Sequence, residues 1–160
     1  VSAGVQLRPL GPGDFEALTA LLKPLDDMHH EALPHLYRPV DGPVRSRDFF
    51  LAQIAREDVF WRVACDGDVA IGFVSAIVMS RPDRPPHAPG RFARIDDVMV
   101  QASARRRGVG RRLIAAALEW ARAAGVEDVE LNVFEFNAEA LAFYERLGFA
   151  TLMRRLSLRL

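Results

Sequence analysis

Residues 5–10 alternate apolar and polar side chains, the period of a strand with one covered face. Gly11-Pro12-Gly13 breaks that run, and Asp14 stands where it would cap a helix carrying Phe15, Leu18, Leu21 and Leu22 on one face. From residue 26 to 44 the pattern dissolves into prolines, histidines and acids, which reads as an irregular segment or short helices covering something. Ser46 and Asp48 open a second helix, with Phe49, Phe50, Leu51 and Ile54 as its apolar contacts. Residues 59–65 and 69–78 read as strands joined into a hairpin at Asp66-Gly67. The proline-rich stretch 81–90 is a loop, and 91–100 returns to strand character. A helix with Val109, Leu113, Ala117 and Trp120 near one stripe runs up to Gly125, followed by a strand at 128–133. Asn137 caps a short helix, 138–147, that ends at Gly148, and 149–160 reads as a final alternating strand or bent pair of strands. Strands interleaved with helices predict one α/β domain over residues 1–160, without internal repeat or linker.

Bulk properties narrow the function classes. The chain has 160 residues, half of them hydrophobic, enough for one substantial core. Lys and Arg number 21 and Asp and Glu 21, so a nucleic-acid binder relying on a broad basic surface is disfavoured, and the arginines must act locally. Cys65 is the only cysteine, which excludes an intrachain disulfide and fits a reducing compartment; it reads as a buried core thiol. The longest apolar run, 69–79, is too short to cross a bilayer, and no signal peptide opens the sequence, so a soluble cytoplasmic protein is expected. The histidines and carboxylates near residue 30 match no standard ligand spacing, and no metal site is expected there.

The stretch 98–110 carries the chemistry. The strand residues Val98, Met99 and Val100 run into a short polar loop, then Arg105-Arg106-Arg107-Gly108-Val109-Gly110, and then the helix that starts with Arg111 and Arg112. A strand, a glycine loop and a helix start bring free backbone N–H groups and a positive dipole end to one point. Glycines permit the dihedrals and close approach that wrapping an anion requires. The stretch reads as a phosphate or pyrophosphate cradle with three arginines beside it, or else as a tight strand-to-helix turn. Upstream, Asp96 and Asp97 sit side by side in an otherwise buried strand. Alternation allows only one of them to face a cleft.

Val100-x-Ala102-x-x-Arg105-x-x-Gly108-x-Gly110, followed by a helix, a strand and Asn137 to Phe149 with its Phe143-Tyr144-Glu145-Arg146-Leu147-Gly148-Phe149 ending, resembles the GCN5-related N-acetyltransferases. The resemblance is strongest from residue 95 to 149. It implies a mixed central sheet splayed open between two parallel strands, 94–100 and 128–133, flanked by about four helices. It implies acetyl-coenzyme A as co-substrate, its pantetheine arm in the gap pairing with main chain at Val98, Met99 and Val100 like an added strand. The backbone from Arg106 through Arg107, Gly108, Val109 and Gly110 to Arg111, flanked by Arg105, would hold the pyrophosphate. Asn137 would look toward the pantetheine, unless it serves only as a helix cap.

The resemblance places Tyr144 against the thioester sulfur, where a phenol can protonate the leaving thiolate; otherwise it is a half-buried core aromatic. The Val98 N–H is the natural oxyanion donor. An acceptor amine must lose a proton before it attacks, and Asp96 is the candidate base, with Asp97 as fallback or either acid as a cation-binding group. Two residues depart from the family pattern: Ala102 stands where proline is frequent, and the acidic position holds Asp rather than Glu. The implied reaction is acetyl transfer to a primary amine of a small molecule or peptide by direct attack, with no acyl-enzyme. The acceptor pocket would be built from residues 26–44, the 81–91 loop and the C-terminal strands. Asp26, Asp27, Glu31 and Asp96 favour a cationic acceptor, and Arg38, Arg81 and Arg84 add the option of a carboxylate. The alternative is a non-catalytic acyl-coenzyme A sensor or regulatory domain. Neither a nucleic-acid nor a membrane partner is expected, and a homodimer is left open.

Overall fold

The computed structural model describes residues 4–160, so residues 1–3 of the expected domain lie outside the described residues. A five-stranded sheet has the order β1 (Val5–Arg8), β2 (Val59–Asp66), β3 (Val69–Ser80), β4 (Arg91–Val100), β5 (Asp128–Leu131). The first three pairings are antiparallel, and β4 and β5 run parallel through the crossover helix α3 (Val109–Ala123). Three further helices complete the fold among the described residues: α1 (Phe15–Ala32), α2 (Arg47–Ile54) and α4 (Ala138–Arg146).

Each face of the sheet is closed by its own core. On one side Val74, Ala76 and Ile95 pack against Val109, Leu113, Ile114 and Ala117 of α3, with Phe143 and Tyr144 of α4 at the margin. On the other, Phe73 and Met99 meet Leu18, Leu21 and Leu22 of α1 and Phe50 of α2. The helix stripes legible in the sequence are the surfaces that meet the sheet, since burying them is what stabilises short helices. Ser46 caps α2 as expected, accepting the Phe49 N–H at 3.1 Å.

Four expectations need correction. Asp14 does not cap α1; its carboxylate takes the Gly11 N–H and both guanidinium arms of Arg8, each at 2.7 Å. The helix beginning at Phe15 does not fray at residue 26 but continues to Ala32, through Pro24. Its last turns are held from outside: His29 stacks on Tyr37 with centroids 5.2 Å apart and meets Phe134 edge-on at 5.2 Å. Adjacent Asp96 and Asp97 do not simply alternate. The register jumps from Ser75↔Asp97 to Ala76↔Ile95, leaving Asp96 as the extra residue of a β-bulge, and both carboxylates line the same hollow. Finally, residues 150–160 form no strand; they run out extended and exposed.

Candidate active site

Where β4 and β5 part, the sheet opens. Their pairing ends at Ile95↔Leu131, but β4 continues to Val100. Gln101 N–H reaches Ile71 O at 2.8 Å on the β3 side, and backbone direction alternates along a strand. The main-chain groups of Val98 and Val100 therefore point into the gap, whereas those of Met99 face β3 and its side chain is buried under α1. Gly72 of β3 makes this end of β4 possible: a Cβ there would stand 2.6 Å from Met99 O and 3.3 Å from Val100 Cα.

The free edge runs directly into the loop before α3. A one-turn 3-10 segment, Ala102–Ala104, leads to Arg106 and Gly108, which take left-handed φ values of 59° and 79°. Successive reversals of this kind turn backbone N–H groups toward one concavity. The first internal bond of α3 is Arg112 N–H to Gly108 O at 3.1 Å, so the amides of 108–111 precede the ladder and project from the helix end. Space is open where a Gly108 Cβ would lie. Gly110 has a different role, because its missing Cβ admits the Phe143 ring, which would lie 3.2 Å away. Two of the three arginines are tied down: Arg105 donates to Val100 O at 3.3 Å and pairs with Glu139 at 3.3 Å, and Arg107 pairs with Asp66 at 2.8 Å. The cradle is thus chiefly main chain. An extended arm bearing amides and a diphosphate tail fits this arrangement of a free strand edge continued by unpaired helix amides.

Asn137 and Tyr144 belong to the start and the end of α4, which packs on the α3 side of the sheet. The Asn137 Oδ1 accepts the Ala140 N–H at 3.1 Å, so the cap uses its oxygen and leaves its amide nitrogen for other partners. Tyr144 is half-buried beside Phe143 and Phe149. Burial, and secondarily the charge of Asp97, pushes its phenol up to about 12. It stays protonated throughout the physiological range.

The two acids differ in setting. Asp96 is exposed and paired with Arg94 through a 2.5 Å contact. Asp97 is mostly covered; burial raises its carboxyl above the usual range, opposed by Arg45 and by the Ser75 hydroxyl and reinforced by Asp96 and Asp26. Its N–H donates to Ser75 Oγ at 3.1 Å, and its Oδ2 lies 3.9 Å from Arg45 Nη2. The charge of Asp97 also reaches His29, which burial holds below its ordinary value. Asp97, not Asp96, is therefore the acid electrostatically linked to Tyr144. Phe134 and Phe136, 5.4 Å apart in the β5–α4 loop, join His29 and Tyr37 in an aromatic cluster. His29 and Tyr37 lie in the 26–44 segment expected to build the acceptor pocket, but sequence reasoning missed Phe134, Phe136, Ser75, Arg45 and Trp61; the only local signal was a pair of aromatics two apart after a strand.

A sheet split between parallel strands, one lip running into the amides of a helix start, defines an α/β protein built to thread a long, anion-tailed ligand. The sequence profile of the Acetyltransferase (GNAT) family matches residues 25–149, and the chain belongs to that family. Streptothricin acetyltransferase of Streptomyces lavendulae is 32% identical over 112 residues, 70% of this chain and 54% of that protein. Mycothiol acetyltransferase of Beutenbergia cavernae is 38% identical over 91 residues, 57% of this chain and 28% of its own length. The chain thus spans about half or less of these curated relatives. A crystallised Bacillus halodurans protein superposes with a TM-score of 0.92 at 23% identity, covering 97% of this chain and 99% of its own. An aminoglycoside N-acetyltransferase crystallised with coenzyme A superposes with a TM-score of 0.71 at 21% identity, covering 96% and 98%. Acetyl-coenzyme A is the co-substrate of this family. No helix among the described residues is long and apolar enough to cross a membrane.

Proposed function

We propose that residues 1–160 form one catalytic domain that transfers an acetyl group from acetyl-coenzyme A to a primary amine of a small molecule or peptide. The observation that carries this reading is the departure of β4 from β5 after Ile95, which leaves the Val98 and Val100 main chain open on a path to the amides of 108–111. Pantetheine amides pair with the Val98 and Val100 edge as an added strand would. The diphosphate lies on the helix-end amides, and the Arg106 and Arg111 main chain completes the cradle. Met99 contributes shape rather than hydrogen bonds, because its polar groups are turned to β3.

The acceptor enters from the α1–α2 side, where Asp97 holds its ammonium and takes the proton that must leave before attack. The amine forms a C–N bond to the thioester carbonyl carbon, and the Val98 N–H donates to the developing oxyanion. The C–S bond then breaks, the Tyr144 phenol gives its proton to the departing sulfur, and the second proton shed by the nitrogen as the amide forms passes through solvent to restore the phenol. Asp96, paired with Arg94, adds negative field at the mouth rather than moving protons. In solution the chain is a homodimer joined through residues 150–160.

Thiol release from acetyl-coenzyme A across an amine panel tests the activity. Tyr144→Phe is expected to retain coenzyme A binding and lose turnover about a hundredfold. Full turnover in that variant would remove Tyr144 from the chemistry. Coenzyme A binding without amine-dependent thiol release from the unaltered chain would instead favour an acyl-coenzyme A sensor.

A further inference from the structure

Two buried donors in the hollow beside Asp97 have no acceptor. Arg45 Nη1 and Trp61 Nε1 are covered from solvent, and neither makes a hydrogen bond. Native interiors rarely leave such groups unmatched, because an unsatisfied donor costs most of its desolvation and a charged one costs more. Guanidinium and indole N–H groups can only donate, so the matching group must be an oxygen acceptor, and beside a guanidinium a carboxylate is the strongest. Both residues line one hollow with Asp96, Asp97, Ser75 and Gln53, and Phe49, Val59 and Ile77 form its apolar wall; Arg45 and Trp61 also border the adjoining cavity under α1 and α2. The other arm of Arg45 lies 3.9 Å from Asp97 Oδ2, a charge contact longer than a hydrogen bond. Two acids and two unmatched donors therefore share one hollow with an apolar wall.

We infer that this hollow selects a zwitterionic acceptor with an apolar body, an amino acid-like molecule whose carboxylate sits on Arg45 Nη1 and Trp61 Nε1 while its amine meets Asp97. The inference rests on the transferase reading and narrows it. An acceptor lacking the carboxylate leaves both donors unmatched in the complex, and discrimination against it is large for that reason. Trp61 contributes one directed N–H, held by its ring stacking at 6.1 Å on Phe73. Arg45 contributes charge as well as geometry.

Leucine and isoamylamine, the same body with and without the carboxylate, are compared as acceptors by thiol release, with phenylalanine and phenethylamine as a second pair. Each amino acid is expected to exceed its decarboxylated partner in kcat/KM by tenfold or more. Trp61→Phe keeps an aromatic ring beside Phe73 but removes the N–H together with the five-membered ring that carries it, and it should reduce that ratio several-fold, chiefly through the KM of the amino acid. Arg45→Gln should bring the ratio close to one. The inference is overturned if the decarboxylated amines are used as well as the amino acids, or if both variants lower the two members of a pair equally. Coenzyme A binding without turnover of either amino acid overturns it too. Absence of coenzyme A binding would remove the transferase reading itself, and calorimetry with coenzyme A alone separates that failure from the others.

Discussion

Asp97 is covered by protein on most sides, yet the proposed mechanism requires it to carry charge, and that conflict has measurable consequences. Its folded pKa is raised, so the folded state holds the proton more tightly than the unfolded chain does. The carboxylate therefore subtracts from stability above its raised pKa, and the penalty disappears as pH falls through that value. Asp97→Asn should accordingly raise Tm at pH 7, and the gain should vanish on acidification, as thermal unfolding at both pH values will show. The same variant should abolish the acidic limb of the kcat/KM profile, which in the unaltered protein lies above the ordinary carboxylate range. Arg45, Ser75, Asp96, Asp26 and His29 all face this carboxyl or feel its charge, so the limb should move upward in Arg45→Gln. Asp96→Asn should cost less than Asp97→Asn, and the reverse order would restore Asp96 as the base. Residue identity made an acid at this strand position legible. Which of the two neighbours is the more covered was hidden, because it depends on a bulge created by register with β3.

Glycines decide how the elements meet. Gly72→Ala places a methyl group against Met99 O, and backbone cannot yield as a side chain tip can. The outer end of β4 should shift away from β3, with coenzyme A affinity falling about tenfold although residue 72 lies on a neighbouring strand; titration calorimetry reads this. Gly110→Ala should instead separate α3 from Phe143 of α4, costing roughly 1–3 kcal/mol by chemical denaturation. The strand–glycine–helix grammar of residues 98–113 was readable because it is local. The division of labour between Gly108, which supplies a left-handed turn, and Gly110, which supplies room for an aromatic ring, was not, since Phe143 arrives from a distant helix. The full length of α1 was hidden for a similar reason. Its last turns are stabilised by Tyr37 and Phe134, not by an apolar stripe of their own.

At the scale of the whole molecule, residues 150–160 carry the outstanding imbalance. Leu152, Leu156 and Leu158 are 81%, 90% and 85% exposed, and in a strand they would share one face with Leu160. The outer edge of β5 ends the sheet with its ladder groups unmatched, and Glu127, Asp128 and Glu130 lie along it. The tail brings Arg154, Arg155 and Arg159 and no acid; Arg81 already pairs with Asp128 and Glu130, so the match proposed between the two surfaces is chiefly one of hydrogen bonding. In the proposed dimer, reciprocal addition of each tail to the partner's β5 would bury both sets of leucines. At roughly 1.5–3 kcal/mol per side chain the gross gain exceeds 10 kcal/mol, enough to offset the association entropy. Light scattering should give twice the 17.8 kDa of the chain, and Leu156→Glu with Leu158→Glu should give a folded monomer. A monomer at micromolar concentration before mutation would contradict this. The strand expected over 149–160 is not formed, because no neighbouring edge in this chain pairs with it among the described residues.

The claim beneath all of these is that the open lip of β4 and the helix-end amides hold one ligand between them. A crystal structure of the protein with coenzyme A tests it most directly. The account predicts pantetheine amides bonded to Val98 and Val100 main chain, the diphosphate on the amides of 108–111, and the thiol beside Tyr144. A diphosphate bound away from those amides, or a β5 zipped along β4 as far as Val100, would contradict it.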